Sequence, residues 1–148
     1  MRKALWGWTL CALLGAAGLA RAQPKAIGLV KTVTGEATIL RDGSRLVAEP
    51  GLPILQGDVL RTGSLGTVGV ILRDDSTLSL GSGSEVHMAE FSFEPAEGKL
   101  GMVLRVSRGV VSYLSGKIAK LAPEAARIET PVATLGIRGT RLAARITR

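Results

Sequence analysis

The sequence predicts an all-β domain behind a short helical export leader, on three observations. From residue 26 onward most segments alternate apolar and polar residues with period two, the pattern of strands that bury one face. Clusters of Gly, Asp, Ser and Pro separate these segments at intervals of about 8 to 12 residues. Helical periodicity is nearly missing. Together these features indicate a single domain of short, mostly antiparallel strands in a β-sandwich, barrel or jelly-roll-like roll.

The leader has the three parts of a secretory signal. Arg2 and Lys3 lead, Ala4 to Leu19 form a mostly apolar run, and Ala20-Arg21-Ala22 supply a small-x-small cleavage site. Cleavage is expected before Gln23, which divides the chain into a signal peptide, residues 1–22, and a β domain, residues 23–148. The apolar run of about 16 residues lies near the lower limit for crossing a bilayer of about 30 Å. It also holds Gly7, Gly15 and Gly18, so removal is expected rather than retention as an anchor. Cys11 follows Trp8-Thr9-Leu10, without the small residues that precede a lipidated cysteine. No later run approaches about 18 apolar residues, so no integral membrane segment is expected after cleavage. A periplasmic or secreted location follows.

Losing the leader changes the chemistry that remains. The formal charge falls from +7 to +4 without Arg2, Lys3 and Arg21. Trp6, Trp8 and Cys11 leave too, so Phe91, Phe93 and Tyr113 are the remaining aromatics and the core is expected to be aliphatic. The mature chain reaches a compartment that permits disulfides with no cysteine to form one.

The elements follow in order. Ile27, Leu29 and Val33 lead into Gly35, then Ala37 and Ile39 run to the turn Arg41-Asp42-Gly43-Ser44, a hairpin signal because Asp and Gly tolerate positive φ. Pro50-Gly51-Leu52-Pro53 reads as an edge or connection. Val68, Val70 and Leu72 alternate up to Asp74-Asp75-Ser76, and Leu78 and Leu80 alternate down to Gly81-Ser82-Gly83-Ser84. Val86 and Met88 continue the pattern, whereas Phe91 and Phe93 resume it out of phase, which places a bulge near Ala89-Glu90. Glu94 to Lys99 is an exposed turn. Leu100, Met102, Leu104 and Val106 form a further strand that Gly109 separates from Val110 to Leu114. Pro123 limits Lys117 to Arg127 to one helical turn or a loop, and Arg141 to Arg148 form a basic, strand-like tail.

The catalytic inventory is thin. His87 is the single histidine, and its period-two neighbours Glu85 and Ala89 place it on a solvated strand face. No G-x-S-x-G elbow accompanies it. One imidazole does not make a zinc site, and Asp74-Asp75-Ser76 lacks the spaced acids of a calcium loop, so an Asp-rich hairpin turn is expected. Gly81 to Ser84 lacks the lysine and helix of a phosphate-binding loop and reads as a flexible inter-strand turn. No cofactor, metal or catalytic residue is expected. Arg138, Arg141, Arg145 and Arg148 make the last residues basic. Export removes nucleic acid as a partner, and three aromatics are too few for base stacking. A charged strand edge that resists aggregation is preferred, with contact to lipid headgroups or acidic glycans as the alternative.

Two blocks carry a resemblance to a known family. Gln56-Gly57-Asp58-Val59-Leu60-Arg61-Thr62-Gly63, with Leu72-Arg73-Asp74-Asp75-Ser76-Thr77-Leu78-Ser79-Leu80, resembles the "GD-x-L-x-T-G" and "L-x-D-G-S-x-L-x-L" patterns of the periplasmic FecR domain. Ile128-Glu129-Thr130-Pro131-Val132-Ala133-Thr134-Leu135-Gly136-Ile137-Arg138-Gly139-Thr140 resembles its "V-x-T-P-x-A-x-x-x-V-R-G-T" block. The likeness spans about residues 27 to 145. Asp75 replaces the usual Gly, which requires a non-glycine residue near the left-handed region. The family pattern continues through another strand pair, so the last sheet is expected to be short or the chain truncated. A signal peptide also stands where sigma-factor regulators of the family carry a cytoplasmic domain and a membrane helix.

In the family blocks a structural role is expected: Gly57, Gly63 and Gly139 at positive φ or close approaches, Asp58, Thr62 and Thr140 bonding local turn amides, and a partly buried Arg138 paired with Asp58 or another loop acid. Asp74, Ser76, Thr130 and Pro131 complete the set. The resemblance implies a non-enzymatic, exported interaction or sensing module with a protein partner in the cell envelope, met at a sheet edge or loop surface. The alternatives are an accessory of a transmembrane, sigma/anti-sigma-type signalling system or an envelope glycan-binding adaptor. A small hydrolase is the third reading.

Overall fold

The structure, a computed structural model, describes residues 21–147. The expected export leader, apart from Arg21 and Ala22, and Arg148 of the basic tail lie outside the described residues.

The domain is all-β. Twelve strands follow in order: β1 (Ala26–Thr34), β2 (Ala37–Arg41), β3 (Ser44–Val47), β4 (Pro53–Leu55), β5 (Val59–Thr62), β6 (Thr67–Leu72), β7 (Thr77–Leu80), β8 (Glu85–Glu94), β9 (Lys99–Leu114), β10 (Ala126–Glu129), β11 (Thr134–Gly136) and β12 (Arg141–Ile146). One five-residue helix, α1 (Lys117–Leu121), lies between β9 and β10. The strands form one sheet that curls into two layers. The first layer runs β4-β1-β6-β7-β9-β12 and the second β3-β2-β5-β8-β9-β10-β11. Every pairing is antiparallel except β9 with β10.

The expected break at Gly109 is corrected by the structure. β9 is one continuous strand of 16 residues whose first part pairs with β8 in the second layer and whose last part pairs with β7 and β12 in the first. Gly109, at φ 94°, marks the bend without ending the strand. A Cβ there would fall on Ser84, 2.7 Å from its Cβ and closer still to its Cα and Oγ, so only glycine lets the two chains cross so tightly. The connections β1–β2, β5–β6 and β7–β8 also change layer along the same line. Gly63 N donates to Glu36 O at 2.8 Å, Gly83 N to Gly63 O at 2.9 Å and Gly81 N to Val110 O at 2.8 Å. Backbone groups that leave the ladders at the fold line are thereby satisfied by one another, as buried amides require.

Local signals in the sequence reappear as geometry. Asp42 and Gly43 both take positive φ in the β2–β3 hairpin, and Asp75 takes φ 65° in the β6–β7 turn. The ladder between β8 and β9 shifts register between Met88 and Glu90, at the expected bulge. Proline-led β4 is an edge strand, paired only to β1. The core between the layers is largely aliphatic, with Ile39, Leu60, Leu78, Met88 and Leu104 fully enclosed, and Tyr113 is the one aromatic side chain entirely buried there among the described residues. α1 plugs the end of the sandwich through Ile118 and Ala119 and carries the chain back to the start of β9, the crossover that a parallel β9–β10 pair needs.

Candidate functional site

The early family block holds the fold together from inside. Asp58, 1% exposed, accepts from Arg41 Nε at 2.9 Å, Arg41 Nη2 at 2.7 Å and Leu55 N at 2.8 Å, while Arg41 Nη2 also donates to Pro53 O at 2.7 Å. The guanidinium therefore pins the end of β2 to the loop before β5, and the Asp58 carboxylate holds its pKa above the ordinary arginine value. Gly57 takes φ 92° beside it. Contrary to the expectation from sequence, Thr62 does not bond its own turn. Its hydroxyl donates to Gly81 O at 2.6 Å and accepts from Ser84 N at 2.9 Å. Gly63 keeps an ordinary φ, and a Cβ there would meet the exposed Glu36 side chain at 3.1 Å, a tight approach rather than a forbidden one. Gly81 to Ser84 is likewise no loose turn: Ser84 is buried, and its hydroxyl bonds both the amide and the carbonyl of Val110 at 3.0 Å.

Asp74 and Ser76 form a second buried node, both 0% exposed. Asp74 Oδ1 accepts from Ser76 N at 3.1 Å and Ser76 Oγ at 2.6 Å, Asp74 Oδ2 accepts from Ile118 N at 3.3 Å, and Asp74 O accepts from Lys117 N at 2.7 Å. The turn thereby caps α1. The Tyr113 hydroxyl ends beside this node, close to Ser76 and the Gly116 backbone but without a hydrogen bond of good geometry to either. Burial first, and the nearby Asp74 carboxylate, raise its pKa above the usual tyrosine value.

The expected pairing of Arg138 with Asp58 is not formed. Arg138 is exposed, and Arg41 occupies the carboxylate. The late block is joined to the body through the segment after β9 instead: Ser115 N donates to Thr140 O at 2.9 Å, and Ser115 Oγ donates to Gly139 O at 2.9 Å and Thr140 O at 3.2 Å. Thr140 therefore bonds through its backbone carbonyl to Ser115, 25 residues away, and not through its side chain to a local turn amide as expected, and Gly139 takes φ 106° there. Thr130 closes a tight turn with Ala133, its hydroxyl donating to Ala133 O and accepting from Ala133 N at 3.0 Å each. This turn lifts Pro131 and Val132 out of the domain, with Val132 91% exposed.

The basic tail forms an extended surface feature beside these pieces. β12 lies along β9 with Arg141 opposite Leu114 and Ile146 opposite Gly109, and among the described residues nothing pairs with its other side. Ser115 and Thr140 are hydrogen-bonded just before the ladder begins. Alternation along an antiparallel pair then turns Leu142, Ala144 and Ile146 toward β9, and aims the amides and carbonyls of Arg141, Ala143 and Arg145 at the open edge. The side chains of the same three residues stand exposed on the outer face. Arg41, Arg61, Arg73, Arg105, Arg108 and Arg127 all have carboxylate partners. Among the described residues, Arg138, Arg141 and Arg145 make no ion pair. Beside the edge lies a cleft of about 370 Å³ between the Thr130–Ala133 turn and the end of β12, walled by Val132, Leu135, Ala144 and Ile146, with Arg145 also on its lining. The cations were legible in the sequence and the cleft was not, since Leu135 and Ile146 lie on strands joined only through β10 and β9.

His87 is half-buried on β8 with Val59 and Arg105 as cross-strand neighbours, neither a nucleophile nor a base. Among the described residues no three His, Cys, Asp or Glu side chains gather closely enough to hold a metal, and no helix is long and apolar enough to cross a membrane. A model of the family described as FecR protein matches residues 58–148, from the buried Asp58 to the basic tail. No curated protein and no solved structure matches the chain.

Proposed function

This chain belongs to the FecR family, and from that premise we propose that it is an exported, non-enzymatic module that binds a protein partner of the cell envelope along the open edge of β12. Family membership points to a signalling-related, protein-interaction domain. The observation that carries the finer reading is the coincidence, on one strand, of outward-facing backbone groups, two cations without ion pairs and an adjoining apolar cleft. Main-chain hydrogen bonds to such an edge supply affinity, and alternate side-chain contacts supply specificity. The buried acids Asp58 and Asp74 are committed to internal hydrogen bonds, which favours binding over reaction.

The test is a photo-cross-linking residue placed at Ala143 and, as control, at Arg45 on the remote edge strand β3, in cells that export the full chain. Adducts to protein from position 143, none from position 45, and a mature N-terminus at Gln23 in the envelope fraction are expected. Adducts to glycan alone, no difference between the two positions, or retention of the chain in the cytoplasm would overturn the reading. The three unpaired arginines support a second reading, contact with an anionic envelope surface, in which adducts from position 143 would be to glycan or lipid.

A further inference from the structure

The chemistry of the edge specifies its occupant more closely, on the premise that β12 is the binding edge. We propose that β12 recognises an extended acidic segment of another protein, with carboxylates at positions i and i+4, a small residue at i+2, and apolar side chains at i+1 and i+3. Arg141, Ala143 and Arg145 share one face of the strand, and Cα positions four residues apart on a strand are separated by about 13 Å. A strand laid beside β12 sets its own i, i+2 and i+4 residues in line with them, so two carboxylates reach the two guanidinium groups and a small side chain passes Ala143. Its i+1 and i+3 residues turn inward, where Leu135, Ala144 and Ile146 border the cleft and Val132 overhangs it. The pattern reads alike in either direction, so it fits parallel or antiparallel addition.

Charge decides against a second copy of this chain. Two β12 strands paired antiparallel about Ala143 would set Arg141 of each opposite Arg145 of the other, a like-charge juxtaposition at both ends. The segment Glu90-Phe91-Ser92-Phe93-Glu94 carries the favoured pattern within this very sequence. It is withheld, because Phe91 is buried in the core, the segment is paired to β9, and Glu94 is engaged by Lys25 and Arg73.

The probe is a dye-labelled peptide with glutamates at its first and fifth core positions, valines at the second and fourth and alanine at the third, titrated into the processed protein by fluorescence anisotropy. Arg141→Glu with Arg145→Glu is expected to weaken binding at least about tenfold in low salt, and a peptide with lysines for glutamates to rescue the double variant. Ala143→Pro removes an amide that faces outward and spares the ladder to β9, so binding is lost while the melting temperature holds. Should that variant fold poorly, backbone N-methylation of the peptide asks the same question of intact protein. Equal affinity for the lysine and glutamate peptides, or binding indifferent to Ala143→Pro and to N-methylation, would overturn the proposal. So would a dimer in analytical ultracentrifugation that Ala143→Pro dissolves, or equal binding to phosphatidylglycerol vesicles with that variant. If the peptide fails while cross-linking at position 143 still reaches a protein, the acidic pattern falls and the edge reading stands. If both fail, both fall.

Discussion

Replacing Asp58 by Ala removes the acceptor for Arg41 Nε, Arg41 Nη2 and Leu55 N at once. Breaking one side of a buried ion pair costs about 3–5 kcal/mol, because the surviving partner stays behind without compensation. Here the survivor is Arg41, whose side chain is 23% exposed and can recruit water. The Leu55 amide has less recourse, and a buried donor left unpaired costs about 1–3 kcal/mol. Discounting for the exposure of Arg41 leaves a loss of about 2–4 kcal/mol from a total of about 5–15 kcal/mol for a domain of this kind. The melting temperature should fall by about 8–15 °C. Urea denaturation of residues 23–148, followed by far-ultraviolet circular dichroism, measures this directly. Arg138→Ala, at an exposed position without an ion pair, should stay within about 0.5 kcal/mol of wild type. A double-mutant cycle with Arg41→Met should return a coupling above about 1 kcal/mol between positions 41 and 58. If Asp58→Ala cost less than about 1 kcal/mol, or Arg138→Ala cost as much as Asp58→Ala, the assignment of Arg41 as the partner would be wrong.

Gly109→Ala forces a side chain into positive φ and onto Ser84, so a loss of about 2–4 kcal/mol is expected from strain and overpacking together. Gly136→Ala, with open space around it, should cost under about 1 kcal/mol in the same denaturation experiment. Tyr113→Phe deletes a buried hydroxyl that lies near Ser76 and the Gly116 backbone without a hydrogen bond of good geometry, so stability should hold or rise by up to about 1 kcal/mol; a clear loss would show that the hydroxyl is satisfied. The variant should also resist alkaline unfolding. The raised pKa of Tyr113 means that its contribution is intact below the ordinary tyrosine value and is lost as pH rises through the folded one. At the acid end, hydrogen bonds from Lys25 and Arg105 hold the Glu94 and Glu129 carboxyls below the usual glutamate range. Their contribution is present above that range and fades as pH falls through the lowered values, and salt should flatten it because both pairs are exposed. Melting curves against pH with Glu94→Gln and Glu129→Gln, each lacking part of the slope, check the sign.

What the linear chain carried was local. Alternating residues marked the strands, Asp42-Gly43 marked a hairpin, and the change of phase from Met88 to Phe91 marked a bulge, because each follows from sterics within a few residues. Even the departure at Asp75 announced its backbone, since the turn it occupies demands a left-handed residue whatever the side chain. The family blocks were legible for the same reason, as runs of contiguous residues.

Partnership across the fold was not legible, because it depends on how the sheet curls. Asp58 needed a cation, and several were available in the sequence. Only the antiparallel pairing of β2 with β5 brings Arg41 to the loop before Asp58, while Arg138 ends on the opposite side of β9. Composition placed arginines in the tail. Whether their strand lay inside a sheet or at its rim was decided by β9, a single long strand that bends at Gly109 and offers its far side first to β10 and then to β12. Periodicity tells a residue which face of a strand it occupies. Which strands adjoin, which edge stays open, and which buried charge finds its partner are settled by contacts between residues far apart in the chain, and those exist only once the sheet has closed on itself.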